Sequence, residues 1–303
     1  MGNINVCLSC DDNYAKYAGV VITSALANSA PEDKLTFYVL DGGITEENKE
    51  KILSIKSLKD CEINIVKIDE SLFEQYKQIK THSYVTTATY YRLKLPSLLP
   101  NVERIIYLDC DVIVNSSLKE FFETELNNSL VAGAQDLNER MIKKNPNYVN
   151  AGVLLFNLKQ MREENIEDKF LTWTTDNIEN IKVGDQTIIN EVCKDRIKLI
   201  DAGWNVQSSN FTNRSSYTNE PKIIHFVSSK KPWHWASFSY HRNLYFKNLQ
   251  LSPWKLDEKE YKHWTKDNQI ASLIAYVKYR PFFLFRPRFY NALYQTYLKP
   301  TRK

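Results

Sequence analysis

This chain of 303 residues lacks the features that mark membrane-spanning and exported proteins. No run reaches the roughly 18 to 20 apolar residues that cross a bilayer. The first residues, Met1–Val6, lack the charged region and apolar core of a signal peptide. The five cysteines are an odd number, which favours buried or free thiols in a reducing compartment over a disulfide framework. We therefore expect a cytoplasmic protein.

Acidic residues are also absent from the end of the chain. None follows Asp267, whereas the same stretch contains seven basic residues: Lys278, Arg280, Arg286, Arg288, Lys299, Arg302 and Lys303. Internal repeats and low-complexity linkers are lacking as well. The length suits one large domain with an appendage. We predict a catalytic domain over residues 1–267 and a small, helical, basic and aromatic appendage over residues 268–303.

Aromatic and basic residues interleave in this appendage: Tyr276, Lys278, Tyr279, Arg280, Phe282, Phe283, Phe285, Arg286, Arg288, Phe289, Tyr290, Tyr294 and Tyr297. Such a segment suits an anionic membrane surface, with rings at the interface and cations at the headgroups. A helix packed on the catalytic domain is the alternative. Nucleic-acid binding is the least favoured of the three, so we expect no nucleic-acid partner. We predict peripheral association with the inner face of the plasma membrane.

The first half of the chain alternates short apolar runs with helical patterns. Strands are predicted at Ile4–Ser9, Leu35–Leu40, Ile63–Ile68 and Arg104–Leu108. Helices are predicted at Ala15–Asn28, after a Thr45 cap, and at Thr86–Leu99. This alternation indicates β-α-β units, a Rossmann-like α/β fold and a mostly parallel sheet. Ligands of such sheets bind beyond the carboxyl ends of the strands.

Two aspartates, Asp109 and Asp111, follow the fourth predicted strand. Because strand side chains alternate, both carboxylates point to one side, roughly 6.6 Å apart along the chain. A divalent cation relieves their repulsion, and oxygen ligands suit Mg²⁺ or Mn²⁺. One alternative is a turn cap beside a solvated aspartate. Another is the nucleophile and acid/base pair of haloacid-dehalogenase-type phosphohydrolases, which usually lies near the N-terminus.

Two further segments place polar residues after predicted strands. In Cys10–Tyr14, a carboxylate can accept from a ribose hydroxyl and a tyrosine can stack on a base; ordinary loop chemistry is the alternative. In Ile224–Trp233, a histidine that closes a strand can bind a metal and a lysine after a turn can meet phosphate. A lone histidine is more often structural.

Six separated motifs occur in a characteristic order. They are C-D-D-N-Y at 10–14, T-T-A-T-Y-Y-R-L at 86–93, Y-L-D-C-D-V-I-V at 107–114, N-A-G-V-L-L-F-N-L at 150–158, G-D-Q at 184–186 and H-F-V-S-S-K-K-P-W at 225–233. With them, residues 1–235 resemble retaining glycosyltransferase family 8, whose members include bacterial lipooligosaccharide galactosyl- and glucosyltransferases and, more distantly, glycogenin. The resemblance implies a single Rossmann-like nucleotide-sugar-binding domain of the GT-A type with a mixed, mostly parallel sheet.

The resemblance also implies roles for the motif residues. Mn²⁺, or possibly Mg²⁺ in its place, would be bound by Asp109, Asp111 and His225, and would hold the diphosphate of a UDP-sugar. The uridine would be held by Asp11, Asn13 and Tyr14. Arg92 would contact the sugar and phosphate side of the donor. The sugar pocket would be lined by Asp136, Asn150, Ala151, Gly152 and Asp185. Gln186 would lie near the anomeric carbon, and Lys231 would neutralise charge on the leaving diphosphate.

One position departs from the family pattern. Ser228 stands where the family usually has a glycine in the segment after the histidine. A glycine there permits unusual dihedrals and a close backbone approach to phosphate. Serine still offers its N–H, so we expect an altered phosphate contact rather than a lost one.

The implied reaction is transfer of a hexose, glucose or galactose, with retention at the anomeric carbon. The acceptor would be a glycan of bacterial cell-surface polysaccharide, lipopolysaccharide or glycoprotein, possibly lipid- or protein-linked. Glycosidase-style retention needs a carboxylate nucleophile, whereas the residue expected nearest this carbon is the amide Gln186. We therefore favour front-side attack over a nucleophilic Asp185. The alternative functions are a non-catalytic nucleotide-sugar-binding module and, less favoured, a metal-dependent phosphohydrolase.

Overall fold

A computed structural model describes residues 3–79, 86–208, 220–227, 229, 231–237, 239, 241–279, 281–285, 287 and 290. Its centre is a seven-stranded sheet. The strands are β1 (Ile4–Cys10), β2 (Leu35–Asp41), β3 (Glu62–Lys67), β4 (Arg104–Leu108), β6 (Val131–Gln135), β7 (Val149–Asn157) and β8 (Ile197–Ile200), while β5 (Val112–Val114) belongs to a second sheet. The predicted strands at 4–9, 35–40, 63–68 and 104–108 are all confirmed.

The order across the main sheet is β3-β2-β1-β4-β7-β6-β8. Neighbours from β3 to β4 run parallel, and so do β6 and β8. Strand β7 runs antiparallel to both of its neighbours. The predicted α/β fold with a mixed, mostly parallel sheet is therefore confirmed. Because β7 is reversed, its first residues lie at the edge where the parallel strands end.

Both faces of the central strands are buried, which explains their nearly continuous apolar sequences. In β4, Ile106 packs into the core on one face of the sheet, whereas Ile105 and Tyr107 pack into the core on the other. Strand β1 divides in the same way, with Val6 on the first face and Cys7 on the second. The burial fixes these strands and hence the loops that follow them.

The helices that cover the sheet are α1 (Asp12–Ala27), α2 (Glu46–Ser54), α3 (Leu95–Leu98), α4 (Lys119–Phe122), α5 (Glu139–Lys144), α6 (Leu158–Glu163), α7 (Ile166–Asn177) and α8 (Gly184–Val192). The predicted cap Thr45 is confirmed, since its side chain accepts from the backbone N–H of Asn48. The predicted helix at 86–99 differs: a 3-10 segment, Thr87–Lys94, precedes the short α3. Its β-branched threonines disfavour an α-helix, and Pro96 suits the first turn of a new one.

A second, three-stranded sheet contains β5, β9 (Val206–Gln207) and β10 (Ile223–His225) in the order β5-β10-β9. Strand β10 pairs antiparallel with β5, and His225 lies opposite Val112. It also pairs parallel with β9, where His225 lies opposite Gln207. This small sheet therefore carries His225 to the residues that follow β4.

The C-terminal part is helical: α9 (Arg242–Leu251), α10 (Glu258–Lys262), a π-helical turn at His263–Asp267 and α11 (Asn268–Tyr279). The last three are contiguous, so helix runs through the predicted boundary between residues 267 and 268. That boundary stays a prediction. Asn268 is fully buried; its side chain accepts from the N–H of Ala236 (2.6 Å) and donates to the carbonyl of His234 (3.2 Å).

Several sequence predictions concern residues outside the described ranges. They are Ser228 in the phosphate segment and, in the appendage, Arg280, Arg286, Arg288, Phe289, Tyr294, Tyr297, Lys299, Arg302 and Lys303. Within the described part of the chain, we find no helix whose length and apolar character suit a bilayer crossing. The five cysteines are free thiols, as expected.

Candidate active site

A cleft of about 260 Å³ opens at the carboxyl edge of the main sheet. Its walls come from the residues after β1 and β4, from the start of β7 and from the start of α8. Most of the predicted site residues line it: Asp11, Tyr14, Arg92, Asp109, Asp111, Asn150, Ala151, Gly152, Asp185, Gln186 and Lys231. The site therefore lies where a sheet of this type binds its ligands.

Three potential metal ligands converge beside this cleft. One ligand atom from each of Asp109, Asp111 and His225 lies within 4.8 Å of the others. The His225 Nε2 atom is 3.2 Å from Asp111 Oδ1 and 3.8 Å from Asp109 Oδ2. Asp111 Oδ1 is buried and accepts no hydrogen bond from the residues that the structure describes. An orphaned carboxylate oxygen beside a second carboxylate and an imidazole is a donor set that fits a divalent cation.

Gly152 borders two of these three residues, Asp109 and His225. A Cβ atom at this position would lie 2.3 Å from His225 Cε1 and 2.5 Å from Asp109 Oδ2. Contacts that short do not occur, so any larger residue would displace two of the three ligands. The lack of space for a side chain therefore explains the glycine of the N-A-G motif.

Lys231 places a positive charge on the other side of Asp111. Its Nζ atom is 2.6 Å from Asp111 Oδ2 and 2.8 Å from the carbonyl oxygen of Phe226. Burial opposes ionisation of Asp111, but the Lys231 ammonium and the adjacent His225 side chain outweigh it and hold the pKa of that carboxyl well below its usual range. Asp111 is therefore a carboxylate at neutral pH.

Arg92 is buried beneath the cleft and bridges two carboxylates. Its guanidinium lies 2.7 Å from Asp109 Oδ1 and 3.0 Å from Asp185 Oδ2, and it donates to the carbonyl oxygen of Ala151 (2.6 Å). Its Cζ atom also lies 4.0 Å from the centre of the Tyr107 ring. These partners orient the acidic groups, and the predicted contact of Arg92 with the donor stays a prediction.

Asp185 and Gln186 enter the cleft from the first turn of α8. Gly184 before them has a φ of +51°, a left-handed conformation that glycine adopts at low cost. Burial raises the pKa of the Asp185 carboxyl to about 6, while Arg92 acts in the opposite direction. The glycine of the G-D-Q motif thus starts the helix with both side chains directed at the site.

Gln186 belongs to a network of amide groups. Its Oε1 atom accepts from the Ala151 N–H (3.0 Å) and from Asn150 Nδ2 (3.2 Å), and its Nε2 donates to Asp136 Oδ2 (3.2 Å). Asn150 Nδ2 also lies 3.1 Å from Asp136 Oδ2. Asp136 is buried and supports the two amides from below. Asn150, Ala151 and Gln186 therefore form a connected set of uncharged polar groups over the Asp136 carboxylate, and the predicted role of this region as a sugar pocket stays a prediction.

The three predicted uridine residues lie at the start of α1. Asp11 caps this helix by accepting from the N–H of Tyr14 (3.1 Å), and both residues line the cleft. Asn13 is exposed and is not part of the cleft lining. Burial is the largest influence on Tyr14, and together with nearby Asp111 it raises the pKa of the phenol to about 12. All three assignments to uridine stay predictions.

Two polar residues at the site were missed from the sequence. Lys182 lines the cleft just before α8. Asn205 lies beneath it, with its Oδ1 atom 3.1 Å from His225 Nδ1. Neither belongs to a motif with a chemical signature, and an isolated asparagine or lysine in a loop gives no signal.

Residues 5–236 match the model of glycosyl transferase family 8. The chain belongs to glycosyltransferase family 8. The matched range includes every motif and every candidate metal ligand described above. The alternative interpretation of the aspartate pair, as part of a phosphohydrolase, does not explain this match.

Relatives of this family-8 chain include bacterial enzymes of glycan synthesis. A Haemophilus influenzae protein provisionally named a glycosyltransferase is 33% identical over 265 residues, covering 82% of this chain and 78% of its own. The lipopolysaccharide 1,2-glucosyltransferase of Escherichia coli is 26% identical, covering 92% and 87%. The crystal structure of the galactosyltransferase LgtC with donor and acceptor sugar analogues shares the fold, with a TM-score of 0.73, 24% identity and coverage of 84% and 98%.

Proposed function

We propose that this chain is a Mn²⁺-dependent retaining hexosyltransferase that uses a UDP-sugar donor. The observation that carries the proposal is the convergence of Asp109, Asp111 and His225 within 4.8 Å, with Lys231 beside them and the amide pocket adjacent. Charged groups thus lie next to uncharged polar groups in one cleft. A nucleotide sugar has the same division between its diphosphate and its hexose.

The three ligands would hold the cation, which when bound supplies positive charge to the diphosphate oxygens. Asp109 and Asp111 contribute carboxylate oxygens, and His225 contributes Nε2. Lys231 exchanges its contact with Asp111 for the phosphate and stabilises the charge that develops there. Electrostatic help of this kind is usually worth several kcal/mol.

The transfer breaks the bond between C1 of the sugar and the diphosphate oxygen. A new bond forms from the acceptor hydroxyl to C1 on the same face, and the acceptor's proton passes to the leaving phosphate oxygen. Gln186, an amide bonded to Ala151, Asn150 and Asp136, orients the sugar and is a poor nucleophile. We therefore favour front-side attack.

Asp185 as a covalent nucleophile is the second mechanistic candidate. Its side chain is 8% exposed, and its Oδ2 atom lies 3.0 Å from the Arg92 guanidinium. A nucleophile must reach the anomeric carbon, and this ion pair restrains the carboxylate at the wall of the cleft. Asp185 therefore serves to orient Arg92, and through it Asp109.

The acceptor is proposed to be a glycan of the bacterial cell surface, built at the cytoplasmic face of the membrane. The similarity to a lipopolysaccharide glucosyltransferase supports this assignment. The exposed rings of Phe282 (82%) and Phe285 (83%) support a membrane contact by the C-terminal segment. Aromatic residues at such exposure are typical of an interface with lipid or protein.

A donor screen tests the catalytic proposal. UDP release is measured over a panel of UDP-sugars with Mn²⁺, with Mg²⁺ and with EDTA, in the presence of candidate glycan acceptors. We expect release from UDP-glucose or UDP-galactose that depends on metal. Tight binding of UDP-sugars without any UDP release would instead identify a non-catalytic binding module.

Vesicle co-sedimentation tests the membrane contact. The full chain is compared with the Phe282→Ser/Phe285→Ser double variant on anionic and on neutral vesicles. We expect the wild type to bind anionic vesicles and the double variant to lose most of that binding. Leu58→Ser/Leu72→Ser, which removes exposed apolar side chains elsewhere, is the matched control. Equal sedimentation of all three proteins would contradict the proposal.

A further inference from the structure

Asn205 lies between the metal ligands and the sugar pocket. It ends a 3-10 helix, Ala202–Asn205, and the parallel pairing of β9 with β10 places it beside His225. The side chain is buried. Its Oδ1 atom is 3.1 Å from His225 Nδ1, and its Nδ2 atom is 3.0 Å from Asn150 Oδ1. Asn205 therefore joins the two halves of the site by hydrogen bonds.

Two backbone N–H groups of β7 fix the direction of these bonds. The Gly152 N–H donates to Asn150 Oδ1 (3.1 Å), and the Ala151 N–H donates to Gln186 Oε1 (3.0 Å). A backbone N–H is always a donor, so the oxygen of each amide must face it. Asn150 consequently directs its NH₂ group at Asp136 and Gln186, as observed.

The same constraint extends to Asn205 and His225. The oxygen of Asn150 can only accept hydrogen bonds, so Asn205 must present its NH₂ group to it. Asn205 Oδ1 is then left to face His225, and Nδ1 of the imidazole must carry the proton. In the neutral form of the ring, the lone pair is therefore on Nε2, the atom that faces Asp111 at 3.2 Å.

We propose that Asn205 is a positioning residue that holds His225 in the tautomer needed for metal binding and couples the metal site to the sugar pocket. This inference rests on the proposed function, because it requires a cation between Asp109, Asp111 and His225. A histidine ligand commonly donates its other N–H to an oxygen, and loss of that partner weakens metal binding. Here the partner itself is oriented by the amides of the sugar pocket.

Two substitutions separate the two roles. Asn205→Leu removes the acceptor for His225 and the donor for Asn150. Asn205→Asp keeps an acceptor for the His225 N–H but places an oxygen against Asn150 Oδ1. The aspartate variant should therefore keep the orientation of the histidine and lose the link to the sugar pocket.

The first measurement is the affinity of the UDP-bound enzyme for Mn²⁺, determined from the electron paramagnetic resonance signal of the free ion. We expect Asn205→Leu to lower this affinity about tenfold to a hundredfold, and Asn205→Asp to restore most of it. The second measurement is the ratio of UDP-sugar affinity to UDP affinity. We expect both variants to lower the ratio, because both disconnect Asn150.

Asn248→Leu is the matched control, since Asn248 is also buried but bonds within α9. If Asn205→Leu does not fold, Asn205→Ser, whose side chain is too short to reach both partners, takes its place with the same expectation. Unchanged Mn²⁺ affinity in the leucine or serine variant would overturn this inference alone, as would an aspartate variant that binds as weakly as the leucine one. Absence of Mn²⁺ binding by the wild type would overturn the proposed function together with it.

Discussion

The two halves of the cleft differ in whether the protein alone provides hydrogen-bond partners for their polar groups. The half around Asp109 and Asp111 contains close carboxylates, an orphaned oxygen on Asp111 and a lysine in contact with it. The half around Asn150 and Gln186 contains amides whose hydrogen bonds are made internally. Among the described residues, the first half leaves Asp111 Oδ1 without a hydrogen-bond donor, whereas the amides of the second half bond to one another and to Asp136.

This difference suggests a division of labour. Under the proposed function, binding energy and stabilisation of the leaving group would arise in the charged half, where each interaction is strong and depends on the cation. Orientation of the hexose would arise in the amide half, where a hydroxyl must exchange with hydrogen bonds of similar strength. Substitutions in the two halves should therefore have different sizes and different kinetic signatures.

Removal of a metal ligand should give the largest effect. Asp111→Ala, like Asp109→Ala, should lower metal-dependent UDP release at least about a thousandfold, because the remaining ligands no longer hold the cation and Lys231 loses its partner. Turnover is measured against Mn²⁺ concentration. Asp33→Ala, which removes a buried carboxylate bonded to Ala30 and Ser117 far from the cleft, is the control. Near-normal turnover of Asp111→Ala would remove this residue from the metal site.

Gly152→Ala should give the second largest effect. The added methyl group would displace His225 and Asp109, so we expect Mn²⁺ affinity to fall about a hundredfold while the fold persists. Calorimetric titration of Mn²⁺ into the UDP complex measures it. Gly133→Ala is the control, because its methyl group would meet the core residue Leu154 at 2.6 Å instead. That variant should lose stability but keep its metal affinity, and an equal loss in both would point to a general packing defect.

The pH dependence of the free energy of unfolding should reveal the titration of the Asp185 carboxyl. Its pKa is about 6 in the fold and 3.8 as the ordinary value, so the folded state binds more protons between these values. The contribution of Asp185 to the free energy of unfolding should therefore be most favourable below about pH 4. It should fall by about 2–3 kcal/mol as the pH rises through 6. Urea unfolding in EDTA from pH 4 to 7 measures it. Asp185→Asn should remove this fall, and parallel curves for both proteins would contradict the assignment.

Gln186→Ala should give the smallest effect, and in kcat rather than in donor affinity. We expect kcat to fall about tenfold to a hundredfold, because the amide orients the sugar in the transition state while the cation retains the diphosphate. Steady-state kinetics with varied donor measure both constants. Gln250→Ala is the control, because this amide bonds to the backbone of Leu256 and lies outside the cleft lining. An unchanged kcat would remove Gln186 from the chemistry.

Much of this site could be predicted from the sequence because its charged residues follow apolar strands. The run Arg104–Leu108 identified both a strand and the position of Asp109 and Asp111. Asn205 could not be found in this way, because its role depends on the pairing of β9 with β10. The reversal of β7 was equally hidden, since an apolar strand buried on both faces carries no sign of its direction. Sequence patterns predict which residues are buried, but they do not predict which strands pair or in which direction.

The buried side chain of Asn268 has a practical consequence for dissecting this enzyme. It accepts from the N–H of Ala236, whose φ of +57° is unusual for alanine, and it holds His234 by its carbonyl. Both residues follow Lys231 within five positions. Deleting the C-terminal helix to test the proposed membrane attachment would therefore also release the backbone that carries Lys231. Truncated enzymes should lose turnover in detergent solution, where no membrane is present, and point substitutions at Phe282 and Phe285 are the cleaner way to separate attachment from chemistry.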